Sequence, residues 1–157
     1  MYRLRVYLAS GWFTPNQQST YEKLSKILHM WEDKFDVFYP KGESSQLQNK
    51  LHLASTRDEI FNKNLQGMEN ADFIVCSTED KDTGSIFESG YCYKAKKPII
   101  YVNFNLGKAP FNLMLTESSL AVARDERTFE KILHKIVQTK QLDHRSYEEF
   151  RRENTVE

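Results

Sequence analysis

The feature that most constrains this sequence is an alternation. Short runs rich in β-branched and aromatic residues, at 4–9, 35–39, 71–77, 98–104 and 120–123, are separated by longer stretches of helical spacing. Tyr21, Leu24, Leu28 and Trp31 share one helical face after the first run. Arg57, Ile60, Phe61, Asn64, Leu65 and Met68 suit a helix over 55–68, a further helix is read over 85–96, and Phe129, Ile132, Leu133, Ile136 and Val137 form a last apolar stripe. Strands that alternate with helices build an α/β fold, a parallel sheet with helices on its faces. The polar segment 41–53, with Gln46, Gln48 and Asn49 and little periodicity, reads as a surface loop able to form a lid. Residues 1–140 read as one domain. The tail 141–157 is highly charged and poor in apolar residues, so it is expected either to be partly disordered or to pack on a neighbouring subunit.

Composition narrows the classes of function. A chain of 157 residues can bury a core without disulfides or a structural metal. Lys plus Arg and Asp plus Glu both number 22, so no global field recruits nucleic acid or an anionic membrane. No stretch approaches the ~18 apolar residues of a membrane span, and none reads as a signal peptide. Cys76 and Cys92 lie in apolar runs without CxxC or Cys/His spacing, which predicts buried reduced thiols, no metal site and a cytoplasmic protein.

In an open parallel sheet, ligands bind beyond the carboxyl ends of the strands where strand order reverses. If the order is 2-1-3-4-5, the loop 10–13 faces the loop 78–84 across one cleft. Trp12 and Phe13 beside Gly11 suit stacking on a flat base, or equally a core lid over the sheet. Asp82 and Glu88 are placed so that both can point into the cleft and divide the roles of nucleophile and acid or sugar-binding group. Their spacing equally fits a helix cap and a solvated helix residue. Asn64, on the inward edge of its helix, needs a polar partner, and Tyr7 is compatible with ordinary strand packing.

Two segments resemble the signatures of nucleoside 2-deoxyribosyltransferases: Val6-Tyr7-Leu8-Ala9-Ser10-Gly11-Trp12-Phe13 and, more specifically, Asp82-Thr83-Gly84-Ser85-Ile86-Phe87-Glu88-Ser89-Gly90-Tyr91. Pro110-Phe111-Asn112-Leu113-Met114 resembles the family's late segment, so the resemblance runs in order from about residue 4 to residue 137. It implies a flavodoxin-like single domain with a five-stranded sheet. It also implies an enzyme that moves 2-deoxyribose between nucleobases through a covalent ester, with retention of the β configuration and no cofactor. Glu88 matches the nucleophile, Tyr7 would orient it, and Asp82 would hold the deoxyribose or base side. Ser10, Gly11, Trp12, Phe13, Gln46, Asn64 and Gly84 would line the substrate. Asn112 would reach a sugar hydroxyl in an adjacent subunit's site, which implies a homo-oligomer, a dimer or a hexamer. The implied partners are deoxynucleosides and free nucleobases.

This sequence departs from the family pattern in two places. Many relatives carry Asp where this chain has Asn64, and an amide cannot protonate a leaving base, although it can donate to and accept from a base edge. Some relatives end soon after the last helix with a terminal carboxylate in a neighbour's site, whereas this chain continues to Glu157. Two other readings stand beside transfer. One is hydrolysis of a nucleoside or its 5'-monophosphate by the same Glu88, though the first loop has no obvious Ser/Arg cluster for a phosphate. The other is a non-catalytic nucleotide-binding domain on the same fold.

Overall fold

Alternation along the strands splits the core into two layers. In the computed structural model, which describes residues 2–45 and 53–151, five parallel strands lie in the order β2-β1-β3-β4-β5. They are β1 (Leu4–Ala9), β2 (Phe35–Phe38), β3 (Phe73–Ser77), β4 (Ile99–Val102) and β5 (Ala121–Ala123). Val6, Leu8, Phe73, Val75, Ile100 and Val102 point to one face, where α1 (Pro15–Met30) and α6 (Glu126–Thr139) bring Leu24, Leu28, Phe129, Ile132 and Ile136. Tyr7, Ala9, Ile74, Cys76, Ile99 and Tyr101 point to the other. There they meet Met68 of α3 (Ala54–Asn70), Cys92 of α4 (Thr83–Lys94) and Leu115 of α5 (Leu113–Ser118). Strands buried on both faces read as near-continuous apolar runs, and that is what made β3 conspicuous in the sequence. Both cysteines are free and buried, and none of the described helices is long and apolar enough to cross a membrane.

Helix starts follow local chemistry. Thr14 accepts from the Gln17 N–H at the head of α1, with Pro15 following. Asp82 caps α4, Asn112 caps α5 and Asp125 caps α6. The start expected for α4 at residue 85 moves back to Thr83, because the capping oxygen belongs to Asp82.

Two expectations are corrected. The segment read as loop from residue 41 begins with α2 (Pro40–Ser45), a single short helix that proline at its first position favours. Gln46 and Gln48 lie outside the described residues. The tail folds back on its own domain as far as Arg151, through a 3₁₀ turn at His144–Tyr147 and α7 (Glu148–Arg151). Tyr147 is fully buried in the α1/α6 layer, and its hydroxyl donates to the Gln141 carbonyl. The guanidinium of Arg151 donates to Glu148 and to the Glu117 carbonyl, and Lys135 lies over the Tyr147 ring.

Candidate active site

Strand order reverses between β1 and β3, so the loops that follow these strands face each other at one end of the sheet. They come close together at Gly11. A Cβ there would lie 2.6 Å from Oε1 of Gln17 and 2.9 Å from Cγ of Asp82, so no side chain fits unless the Gln17 and Asp82 side chains shift. The second loop is a 3₁₀ turn, Glu79–Lys81, in which Asp80 (φ 50°) and Lys81 (φ 54°) both take the left-handed conformation. Side chains hold it in that disfavoured shape: Asp80 accepts from the Thr14 hydroxyl and, at 3.3 Å, from Asn16.

Tyr7 and Glu88 meet on the α4 face of the sheet. Tyr7 lies on β1 with its ring fully buried and stacked on Phe38 at 5.4 Å, and its hydroxyl donates to Oε2 of Glu88. Glu88 is on the second turn of α4, and its half-buried side chain turns toward the sheet and not toward solvent. Burial pushes its carboxyl up to about 7, against which the Tyr7 hydrogen bond pulls it down; the charge of Asp82 raises it further. Burial and the neighbouring Glu88 drive the Tyr7 phenol upward, so it stays a proton donor to that carboxyl. Beneath the pair, burial also pushes the Cys76 thiol well up, and it donates to the Ser85 carbonyl, which gives it no nucleophilic role.

Asp82 takes the capping position that its spacing allowed. Its Oδ2 accepts from the Ser85 N–H at 2.9 Å and from the Ser85 hydroxyl at 2.7 Å, which makes it the cap of α4. The same carboxylate is close enough to Glu88 to raise its pKa and touches the space above Gly11.

The other candidates divide. The Ser10 hydroxyl is buried and donates to the Gly11 carbonyl, so it shapes the loop from inside. Trp12 is half-buried, and Phe13, 71 % exposed, stands 5.2 Å from it as an aromatic pair open to solvent. Of the two readings of these rings, an open stacking surface fits Phe13 better than a core lid. Gly84 is exposed, and a Cβ there would make ordinary contact, 3.5 Å from Asp82. Asn64 is half-buried on α3, one turn before Gly67, which lies against the Phe38 ring that stacks on Tyr7. Asn112 is exposed and accepts from the Leu115 N–H. It lines a neighbouring apolar cleft of about 540 Å³ with Ile86, Leu106, Phe111 and Met114. Tyr7, Gly11, Asp82 and Glu88 are therefore brought together, while Asn64 and Asn112 stand on flanking elements. Among the described residues no group of three or more His, Cys, Asp and Glu side chains could hold a metal ion.

Sequence reading missed Gln17, Glu79 and Phe38. Glu79, 1 % exposed, accepts from the Thr20 hydroxyl at 2.8 Å and from the Phe104 N–H at 2.7 Å, tying its turn to α1 and to the segment after β4. A signal for Gln17 was present, since Thr14 and Gln17 have the spacing of a capping box. Nothing in the sequence marks Glu79 apart from its surface neighbours.

The family model for nucleoside 2-deoxyribosyltransferase matches residues 6–146. Among solved structures, the 2-deoxyribosyltransferase of Bacillus psychrosaccharolyticus is 26 % identical, with a TM-score of 0.68 over 80 % of this chain and 90 % of that one. A Leishmania mexicana 2-desoxiribosyltransferase (21 % identical, TM-score 0.59, 88 % and 99 % covered) shares the fold. So does a Clostridium botulinum CMP N-glycosidase (15 %, TM-score 0.52, 83 % and 98 %). No curated protein matches the chain by sequence comparison. With the match spanning nearly the whole sequence and the motif residues Tyr7, Gly11, Asp82 and Glu88 converging at the switch point, this chain belongs to the nucleoside 2-deoxyribosyltransferase family.

Proposed function

We propose that the protein transfers 2-deoxyribose from one nucleobase to another in nucleoside salvage, through a deoxyribosyl ester on Glu88. The observation that carries this reading is the hydrogen bond from the buried Tyr7 to the half-buried Glu88 at the mouth of the sheet; burial raises that carboxyl to about 7, so it ionises near neutrality. A 2-deoxy sugar lacks the electron-withdrawing hydroxyl and reaches an oxocarbenium-like transition state readily, so an oriented carboxylate suffices to stabilise and capture it. A carboxylate oxygen of Glu88 bonds to C1' as the C1'–N bond breaks, and the departing base keeps the electron pair and takes a proton from water. A nitrogen of the second base then attacks C1' and gives up its proton to water, the ester C–O bond breaks, and Glu88 leaves as carboxylate. Two inversions give a β-nucleoside.

Tyr7 orients the attacking oxygen, and Trp12 and Phe13 offer the stacking surface for the base. Asn64 reads a base edge, and Asn112 serves a neighbouring subunit's site, so the active form is a homo-oligomer, a dimer or a hexamer, and dilution inactivates it. No cofactor is invoked. The buried free thiols Cys76 and Cys92 support a reducing, cytoplasmic setting.

The test is chromatography of purified protein with deoxyinosine or thymidine, with and without adenine or cytosine. Acceptor-dependent appearance of a new deoxynucleoside is expected. Release of base and deoxyribose regardless of acceptor would make water the acceptor and the protein an N-glycosidase, the activity named for the Clostridium botulinum structure. No turnover of any nucleoside or 5'-monophosphate would leave a binding domain.

A further inference from the structure

Gln17 lies on α1, outside every motif of the family resemblance, yet it is 3 % exposed and both ends of its carboxamide are engaged. Oε1 accepts from the Phe13 N–H at 2.9 Å, and Nε2 donates to the Glu79 carbonyl at 3.1 Å. One amide thus ties the loop that carries Trp12 and Phe13 to the turn that leads into Asp82. Glu79 in turn fixes that turn to Thr20 of α1 and to Phe104 beyond β4. A carboxyl in place of the amide loses the donor, and an amine loses the acceptor, so the bridge requires Gln or a close equivalent.

Helix capping does not account for this arrangement. In a capping box the side chain three residues into the helix accepts from the N–H of the cap residue itself. Here Gln17 accepts from Phe13, one residue earlier, and its other end leaves the helix for Glu79. The cap is supplied by the Thr14 hydroxyl, which accepts from the Gln17 N–H at 3.2 Å.

Building on the proposed transfer reaction, we infer that Gln17 is a positioning residue that sets the Trp12–Phe13 pair against Asp82 and Glu88. It thereby governs how the base is held and how well water is kept from the ester. It touches neither sugar nor base. Removing the bridge leaves the Phe13 N–H and the Glu79 carbonyl without their partner and frees the first loop to lift, while the Tyr7–Glu88 pair, on β1 and α4, keeps its geometry.

The experiment compares wild type with Gln17→Met, which keeps the length and removes both bonds, and Gln17→Glu, which keeps the acceptor for Phe13. For Gln17→Met, KM for the donor nucleoside should rise about tenfold, equivalent to ~1.4 kcal/mol, with kcat changed far less. The share of turnover ending in free deoxyribose should grow, and the Phe13 amide should exchange with solvent faster in the absence of substrate. Gln17→Glu should shift each readout the same way by a smaller amount, and it carries the test if the Met variant does not fold. An unchanged KM and hydrolytic share in either folded variant, or a loss confined to kcat, would overturn the role. Wild-type protein with no turnover would overturn the proposed function and, with it, the catalytic consequence drawn here; the exchange comparison would still decide whether Gln17 holds the loop.

Discussion

Replacing Glu88 by Gln should do more than abolish turnover: it should change how stability depends on pH. The folded-state pKa of Glu88 is raised from the ordinary 4.5 to about 7. A raised carboxyl binds its proton more tightly in the folded than in the unfolded state. Its contribution is therefore intact below pH 4.5 and is lost as pH climbs to about 7, where both states are ionised. Over that interval the folded state holds one more proton, so stability falls by ~1.4 kcal/mol per pH unit, for a total of about 3 kcal/mol. Gln keeps the shape and an oxygen to accept from Tyr7 but cannot ionise. Urea unfolding of wild type and Glu88→Gln at pH 5, 6, 7 and 8 isolates the effect, because the other titrating groups cancel in the difference. The variant should gain on the wild type as pH rises and then level off above about 7. A difference that stays flat from pH 5 to 8, or one that moves in favour of the wild type as pH rises, would refute the claim that burial holds this carboxyl near neutrality.

Two neighbours should move the same titration in opposite directions. Tyr7→Phe removes the hydrogen bond that pulls the Glu88 pKa down, so the acid limb of the single-turnover cleavage rate should shift above about 7; Asp82→Asn keeps a capping oxygen but removes a charge that raises it, so the limb should shift below. Parallel shifts in the two variants would contradict the assigned causes. Gly11→Ala should cost ~1–3 kcal/mol in urea unfolding, as overpacking does, and raise KM for the nucleoside, because its Cβ would strike Gln17 and Asp82. Tyr147→Ala should lower stability by ~3 kcal/mol or more; an unchanged unfolding midpoint would mean that the tail does not belong to the core.

The fold was legible where a single principle governs the residues. Strands buried on both faces have no choice but continuous apolar composition, so β1, β3 and β4 stood out, and their alternation with helices left little beside a parallel sheet. Short elements were not legible: α2 and α5 have six residues each, too few for a helical period to appear. The tail misled because Tyr147 and Arg151 are isolated among charges, and their burial depends on partners at Gln141, Lys135 and Glu117 that no local pattern reveals. At the site, spacing alone set Asp82 as cap against Asp82 as active carboxylate; the structure shows the cap, with the same carboxylate lying against Gly11. A cap at the first position of α4 fixes the helix start at the lip of the cleft, and five residues of helix from Thr83 then carry Glu88 around to Tyr7. The capping bond that orders the Asp82 carboxylate is thus what aims it, and the helix it starts is what aims Glu88. Under the proposed role, Asp82→Asn, a cap without a charge, should separate capping from charge, whereas an Ala there would confuse them.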